Sequence, residues 1–237
     1  MYNKFKIPTT IDIAKQLKSK YVNNDFRIIG NNVQQSNTVE IQGAHFIADK
    51  SWIIREPNFD YADRELEWYK TQSLNVNDIP KGAPKMWKMC ATEDGRINSN
   101  YGWCILSEEN CYQFEHCLNM LTNDIHTREA CMIYNRPSMQ KEYNKDNMHD
   151  FMCTFAVQCF LNEDVDGTLL LDYQVFQRSC DAVFGYCNDY LWHAKVQEEL
   201  ANALCDTLDR AVYPNNIIYN CGSLHVYERH FKYFDNI

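Results

Sequence analysis

The sequence predicts an α+β fold, a mixed or antiparallel sheet packed by helices in layers. Two observations carry that expectation. Four separated segments place apolar residues at helical spacing, while others alternate apolar and polar residues or form short apolar runs between turn residues. The two kinds of segment are mixed without the regular strand-helix alternation of a parallel α/β protein. At 237 residues, with 45% hydrophobic content and neither repeat nor linker, the chain reads as one domain, 1–237.

Thr9 and Thr10 cap a first helix in which Ile11, Ala14, Leu17 and Lys18 follow helical spacing to about Tyr21. DFRIIG, the polar loop NNVQQSN and NTVEIQGAHFIA read as a hairpin with a bulge at Gly43, Val39 and Ile41 facing one way and Glu40 and Gln42 the other. From Tyr61 to Gln72, Ala62, Leu66 and Tyr69 mark a helix that carries Glu65, which by pattern alone is a solvated or i,i+4-paired carboxylate. IPKGAP breaks the chain before MWKMCA, and INSNYGWCI is too rich in aromatic and small polar residues for an ordinary loop, which suggests pocket lining.

Ser107 is expected to cap a helix with Cys111, Phe114, Cys117, Leu118 and Leu121 on one stripe, its cysteines in the core. ACMIYN is a short buried strand ended by Arg136-Pro137, and QKEYNKDNMHD is a loop. FMCTFAVQCFL and TLLLDYQVF, separated by the acidic turn NEDVDG, form an antiparallel hairpin with Cys153 on its first run. Trp192, Val196, Leu200 and Leu204 give an amphipathic helix from about Asp189 to Asp209. Pro214 restarts the chain before a last strand, IIYNCGSLHVYERHF.

Composition narrows the function classes. No window is long and apolar enough to span a bilayer, and MYNKFKIPTT has no apolar stretch behind its lysines, so a cytoplasmic, non-membrane protein is expected. Eleven cysteines form no C-x-x-C pair and none of the common zinc spacings, so reduced thiols and no metal are expected. A net charge of −9 disfavours broad nucleic-acid binding and still permits an anionic small molecule in a local pocket.

The chemistry concentrates between Asp150 and Asp189: a thiol at Cys153, an anion-binding pair at Arg178 and Ser179, and a carboxylate at Asp189. A catalytic cysteine acts as the thiolate and needs a nearby positive charge or helix N-terminus, for which Arg178 is the candidate. Most free cysteines are buried small hydrophobes, so this pattern alone leaves Cys153 one candidate among eleven.

QRSCD, GYCND and LHVY resemble the thymidylate synthase family's sequence of QRS-x-D, G-x-x-x-N and H-x-Y. RELEWY, INSNYGW, MIYNRPSMQ, YNKD, DFMCT and GSLHVY with RHF are closer to that family's phage branch acting on deoxycytidylate, and the likeness runs from about Thr38 to Phe231. The resemblance implies the family's layered fold, a homodimer, a phage-encoded hydroxymethylase working in the host cytoplasm, dCMP as substrate and 5,10-methylenetetrahydrofolate as cosubstrate.

By position it implies Cys153 as the nucleophile that adds to carbon 6 of the pyrimidine, so that carbon 5 takes up the one-carbon unit. The resulting exocyclic methylene gains water in a hydroxymethylase and hydride in a synthase. Glu65 matches the proton-managing glutamate, and Tyr101 a tyrosine near the carbon 5 proton. Arg178 and Ser179 match phosphate ligands, Arg128 the arginine donated across the dimer, and His225 and Tyr227 the pair on the sugar 3′-hydroxyl. Trp87 and Asp181 match folate contacts, although Asp181 also suits a local cap.

Asp189 stands where a synthase has asparagine. An ionised carboxylate only accepts hydrogen bonds, which suits the amino group and protonated ring nitrogen of cytosine. Three departures accompany the resemblance: Glu129 replaces a second arginine, the basic residue expected before NTVEIQG is missing unless Arg27 substitutes, and the sequence given ends at Ile237, seven residues after His230. A shorter tail leaves a wetter site, which suits water capture over hydride transfer. Two readings compete with the hydroxymethylase: a synthase-type methylase of dUMP or dCMP, and a non-catalytic nucleotide-binding homologue.

Overall fold

The computed structural model describes residues 6–30 and 35–237. In chain order its main elements are α1 (Thr10–Val22), β1 (Arg27–Gly30), β2 (Gln35–Ile47), α2 (Phe59–Thr71), α3 (Lys85–Cys90), α4 (Tyr101–Leu106), α5 (Gln113–Asn123), β3 (Cys131–Ile133), α6 (Met139–Glu142), β4 (Thr154–Glu163), β5 (Leu169–Gln177), β6 (Cys180–Asp181), α7 (Gly185–Leu208) and β7 (Val212–Tyr227). A 3-10 segment, Glu228–Asn236, follows β7. The expected α+β class is observed. The described residues form two compact units: Met1–Pro57, Gln174–Lys195 and Asn216–Ile237, and then Asn58–Tyr173 and Val196–Asn215. Strands β5 and β7 and helix α7 each divide between them.

In the first unit the strands run β1-β2-β7-β5. Strand β2 is antiparallel to both β1 and β7, and β6 lies parallel to β7, so the sheet is mixed. On β2 Val39 and Phe46 are buried, and on β7 Tyr219, Cys221 and Leu224. The bulge expected at Gly43 is not formed: Gln42 pairs with Ser223 and Ala44 with Cys221, so the register is unchanged across the glycine. Most of the expected loop after β1, residues 31–34, lies outside the described residues.

Helix α1 opens with a capping box, Thr9 and Asp12 bonding reciprocally, and buries Ile13, Ala14 and Leu17. Its first turn is tied to the end of β2 through the Thr10 amide and hydroxyl, which both donate to Asp49. At its other end Tyr21 stacks on Phe234 at 4.7 Å, and Phe26 stacks on Phe231 at 5.3 Å, which anchors the 3-10 segment.

In the second unit β5 pairs with β4 and β4 with β3. Strand β4 runs to Glu163, so the acidic turn is tighter than expected, closed by the Asp164 and Thr168 backbones. Cys153 precedes β4 rather than standing on it. Strand β3 is only half-buried: Met132 faces the core, while Cys131 and Ile133 are exposed because the short strand covers one face.

Helices α2 and α4 cross closely at Gly102, where a Cβ would stand 1.9 Å from the Tyr69 carbonyl oxygen. The Asn100 side chain caps α4 and donates to the carbonyls of Trp68 and Ser73, closing carbonyls at the end of α2. Ser107 caps a 3-10 turn rather than α5; Cys111 and Tyr112 then take left-handed backbone, α5 begins at Gln113, and Cys111 is exposed while Cys117 is core. The expected loop after Pro137 contains the short helix α6.

Helix α7 starts at Gly185, about one turn before the expected Asp189, because GYCN already satisfies helical geometry. Strand β7 passes through Pro214 at its exposed beginning, where a missing N–H is tolerated. Among the described residues no helix is long and apolar enough to cross a membrane.

Candidate active site

In the second unit, Asn58 caps α2 and the helix turns one face inward, burying Ala62, Glu65, Trp68 and Tyr69. The pattern reading of Glu65 as a solvated carboxylate is overturned, since only 4% of the residue is exposed. A buried carboxylate requires donors. Tyr61, one turn earlier on the same face, donates its hydroxyl to Glu65 Oε1 at 2.5 Å. From α3, the Trp87 indole N–H lies 2.7 Å from the same oxygen and 2.9 Å from Tyr61 Oη. Burial first, then the charge of Glu65, pushes the Tyr61 phenol far up, so it stays protonated. Trp87 packs edge-on against the fully buried Trp68 at 5.5 Å.

Tyr101, first residue of α4, is buried in parallel contact with Tyr69 at 5.3 Å and edge-on to Tyr134 at 5.2 Å. Its hydroxyl is 3.0 Å from Thr154 Oγ1, on the residue after Cys153. The Cys153 loop is anchored just upstream: Asp150 accepts from the Asn98 and Ser99 amides at 2.7 and 2.8 Å and from the Ser99 hydroxyl at 2.6 Å. The INSN stretch is buried, and its contribution includes positioning the thiol loop.

All eleven cysteines are free thiols, and six are buried. Burial pushes Cys187 up to about 12, and the Cys180 thiol is raised by its bond with Cys221 and then by burial, which makes these poor nucleophiles. Cys153 is only half-buried. Arg128 is exposed in the loop before β3, beside the exposed Glu129, and its carbonyl accepts from Gln158 at 2.8 Å.

In the first unit, Gln177 at the end of β5 is 2% exposed and donates its Nε2 to Asp189 Oδ2 on α7 at 2.7 Å. The Cys221 thiol lies 3.9 Å from Gln177 Oε1, at the other end of the same amide. Arg178 and Ser179 are half-buried between β5 and β6. Strand β7 runs so close that a Cβ on Gly222 would stand 2.9 Å from the Arg178 carbonyl oxygen.

His225 pairs in register with Glu40 on one side and Asp181 on the other. Ser223 Oγ is 3.2 Å from its Nδ1, and the Tyr227 ring is 4.7 Å away. Burial lowers the His225 pKa against the opposing charges of Asp181 and Glu40, and a neutral imidazole with an unbonded, buried Nε2 is fitted to a hydroxyl. Burial pulls Glu40 up, but bonds from Ser223 and Arg27 outweigh it and hold it below the usual range. Arg27, read above as a stand-in for a missing basic residue, donates to Glu40 at 2.7 Å. Asp181 Oδ1 caps the Val183 amide at 2.9 Å, as its local reading expects, with Oδ2 3.9 Å from His230 Nδ1.

Sequence reasoning gave no individual role to Tyr61, Asp150, Gln177 or Gly222. For Tyr61 the four-residue spacing from Glu65 was an available signal; for the others pairing depends on tertiary approach.

A family profile described as Thymidylate synthase matches residues 50–236, and the chain belongs to the thymidylate synthase family. Among curated proteins it is 46% identical over 200 residues to the deoxycytidylate 5-hydroxymethyltransferase of Enterobacteria phage T4, covering 84% of this chain and 79% of that protein. It is 25% identical over 171 residues to a thymidylate synthase of Fusobacterium nucleatum, 71% of this chain and 56% of that protein. The solved thermostable thymidylate synthase A from Bacillus subtilis shares the fold, with a TM-score of 0.67, 20% identity, and coverage of 96% of this chain and 83% of that one.

Proposed function

We propose that this chain is a deoxycytidylate 5-hydroxymethyltransferase, one catalytic domain over residues 1–237. The observation that carries the substrate choice is the Gln177–Asp189 bond. A carboxamide N–H donating to Asp189 holds the acid as an acceptor, the form that recognises the amino group and protonated ring nitrogen of cytosine. The 46% identity to hydroxymethyltransferases of phages T4 and T2 supports the same reading.

Cys153 adds as thiolate to carbon 6 of dCMP, which raises electron density at carbon 5 and makes it nucleophilic. Glu65 moves the protons, and Tyr101 stands by the carbon 5 proton. Arg178 and Ser179 hold the phosphate, as a charged fork and a small hydroxyl are suited to do. His225 and Tyr227 hold the sugar hydroxyl, which the open Nε2 of His225 supports. The family likeness assigns cosubstrate contacts to Trp87 and to Asp181; the Trp87 ring is fixed through its N–H, and Asp181 is half-buried. 5,10-Methylenetetrahydrofolate, when bound, supplies the one-carbon unit.

The family reading implies a homodimer, with exposed Arg128 offered to the partner's phosphate. The reading places the enzyme in the cytoplasm, that of the host if phage-encoded, with no direct role for nucleic acid or membrane.

The test incubates dCMP, dUMP and CMP, each tritiated at carbon 5, with methylenetetrahydrofolate, and follows tritium release and product mass. The expected product is 5-hydroxymethyl-dCMP without dihydrofolate. Formation of 5-methyl-dCMP with dihydrofolate assigns the chain to the methylases, and absence of release makes it a non-catalytic homologue.

A further inference from the structure

Two neutral donors converge on one oxygen of Glu65, Tyr61 from within α2 and Trp87 from α3. The indole N–H also reaches Tyr61 Oη, so each of the three groups approaches the other two. Burial of Glu65 favours the protonated acid, while each donor aimed at the carboxylate favours the ion. A residue that takes and returns protons during turnover needs these influences nearly balanced, so that its affinity for a proton lies near the working pH. It also needs its carboxylate held in one orientation. The Trp87 ring is held by Trp68, and the Tyr61 ring is covered by the Arg64 guanidinium at 5.4 Å, so neither donor swings freely.

We infer that Tyr61 is a positioning residue for Glu65: its hydroxyl and the Trp87 indole lock one carboxylate oxygen and bias the acid toward its ionised form, setting the pH at which Glu65 can accept a proton. The inference rests on the hydroxymethylase reading, in which Glu65 manages proton transfer. Tyr61 makes no contact with the reacting atoms in this role.

A packing role for Tyr61 and a positioning role predict different results. Tyr61→Phe keeps the ring and removes one oxygen. Loss of a hydrogen bond to a charged group is expected to lower kcat for tritium release from dCMP by about 10-fold, leave the dCMP KM within about 2-fold, and move the acidic limb of the kcat–pH profile up by about one unit. Replacing Tyr61 by 3-fluorotyrosine, a stronger donor of nearly the same shape, is expected to move that limb down, and it supplies the test if the phenylalanine variant does not fold.

An acidic limb that stays in place in the folded variants overturns the inference, whatever happens to the melting temperature. Wild-type protein that releases no tritium from dCMP overturns the hydroxymethylase reading and this inference with it. Active wild type with an unmoved limb overturns this inference alone.

Discussion

Gln177 donates its carboxamide to Asp189 across 2.7 Å, with the Cys221 thiol against the other end of the same amide. The acid is thereby held as an acceptor. An asparagine in the same seat, accepting from Gln177 through its oxygen, would turn an N–H where the carboxylate turned an oxygen. That exchange suits uracil's carbonyl in place of cytosine's amino group. Asp189→Asn is expected to change the dCMP to dUMP ratio of kcat/KM by at least about 100-fold in favour of dUMP, as sites built for one hydrogen-bond pattern do. Steady-state kinetics on both nucleotides check this, and an unchanged ratio removes Asp189 as the discriminator.

Cys153 stands outside β4, half-buried, whereas Cys180 and Cys187 are buried with thiols that resist ionisation. Cys153→Ser is expected to lower tritium release by at least about 10³-fold while the melting temperature stays near the wild-type value. Retained release would move the nucleophile elsewhere.

Gly222 lets β7 pass close behind Arg178, with 2.9 Å between an added Cβ and the arginine's carbonyl oxygen. Gly222→Ala must shift one of the two backbones. A stability loss of about 1–3 kcal/mol is expected from overpacking, together with a KM for dCMP raised about 10-fold as Arg178, the proposed phosphate ligand, moves. Urea denaturation and initial rates report the two effects separately; normal values for both would show that the loop accommodates the methyl.

His193 on α7 is fully buried, and burial brings its pKa down from 6.5 to about 3. Below pH 6.5 the unfolded chain binds a proton that the folded chain refuses. Stability from this residue therefore falls as pH drops toward 3, by about 1.4 kcal/mol per unit. In His193→Phe, which cannot take up that proton, the loss between pH 6.5 and 4.5 is expected to be smaller by about 2–3 kcal/mol. Equal losses in the two proteins would mean that His193 titrates in the fold as it does in water.

Periodicity was enough to place α1, α2 and the β4–β5 hairpin, because each covers one face of its element and so repeats its apolar residues at the element's own period. It failed where backbone conformation broke the pattern. Cys111 opens an apolar stripe in the sequence but sits, with Tyr112, in left-handed backbone before α5. GYCN, read as part of a motif, is the first turn of α7.

Motif order alone was sufficient to identify the family, since the profile depends on residue type at fixed positions along the chain, and the same motifs are what nominate Cys153, Arg178, Ser179 and Asp189 for the roles proposed. Packing decided the rest. The state of Glu65 depends on water exclusion and on an indole 22 residues away, and the orientation of Asp189 depends on a glutamine 12 residues away and a thiol on another strand. Hydrogen-bond partners and burial are properties of groups brought together in space, and a linear pattern that fixes helix and strand does not state which side chains will meet.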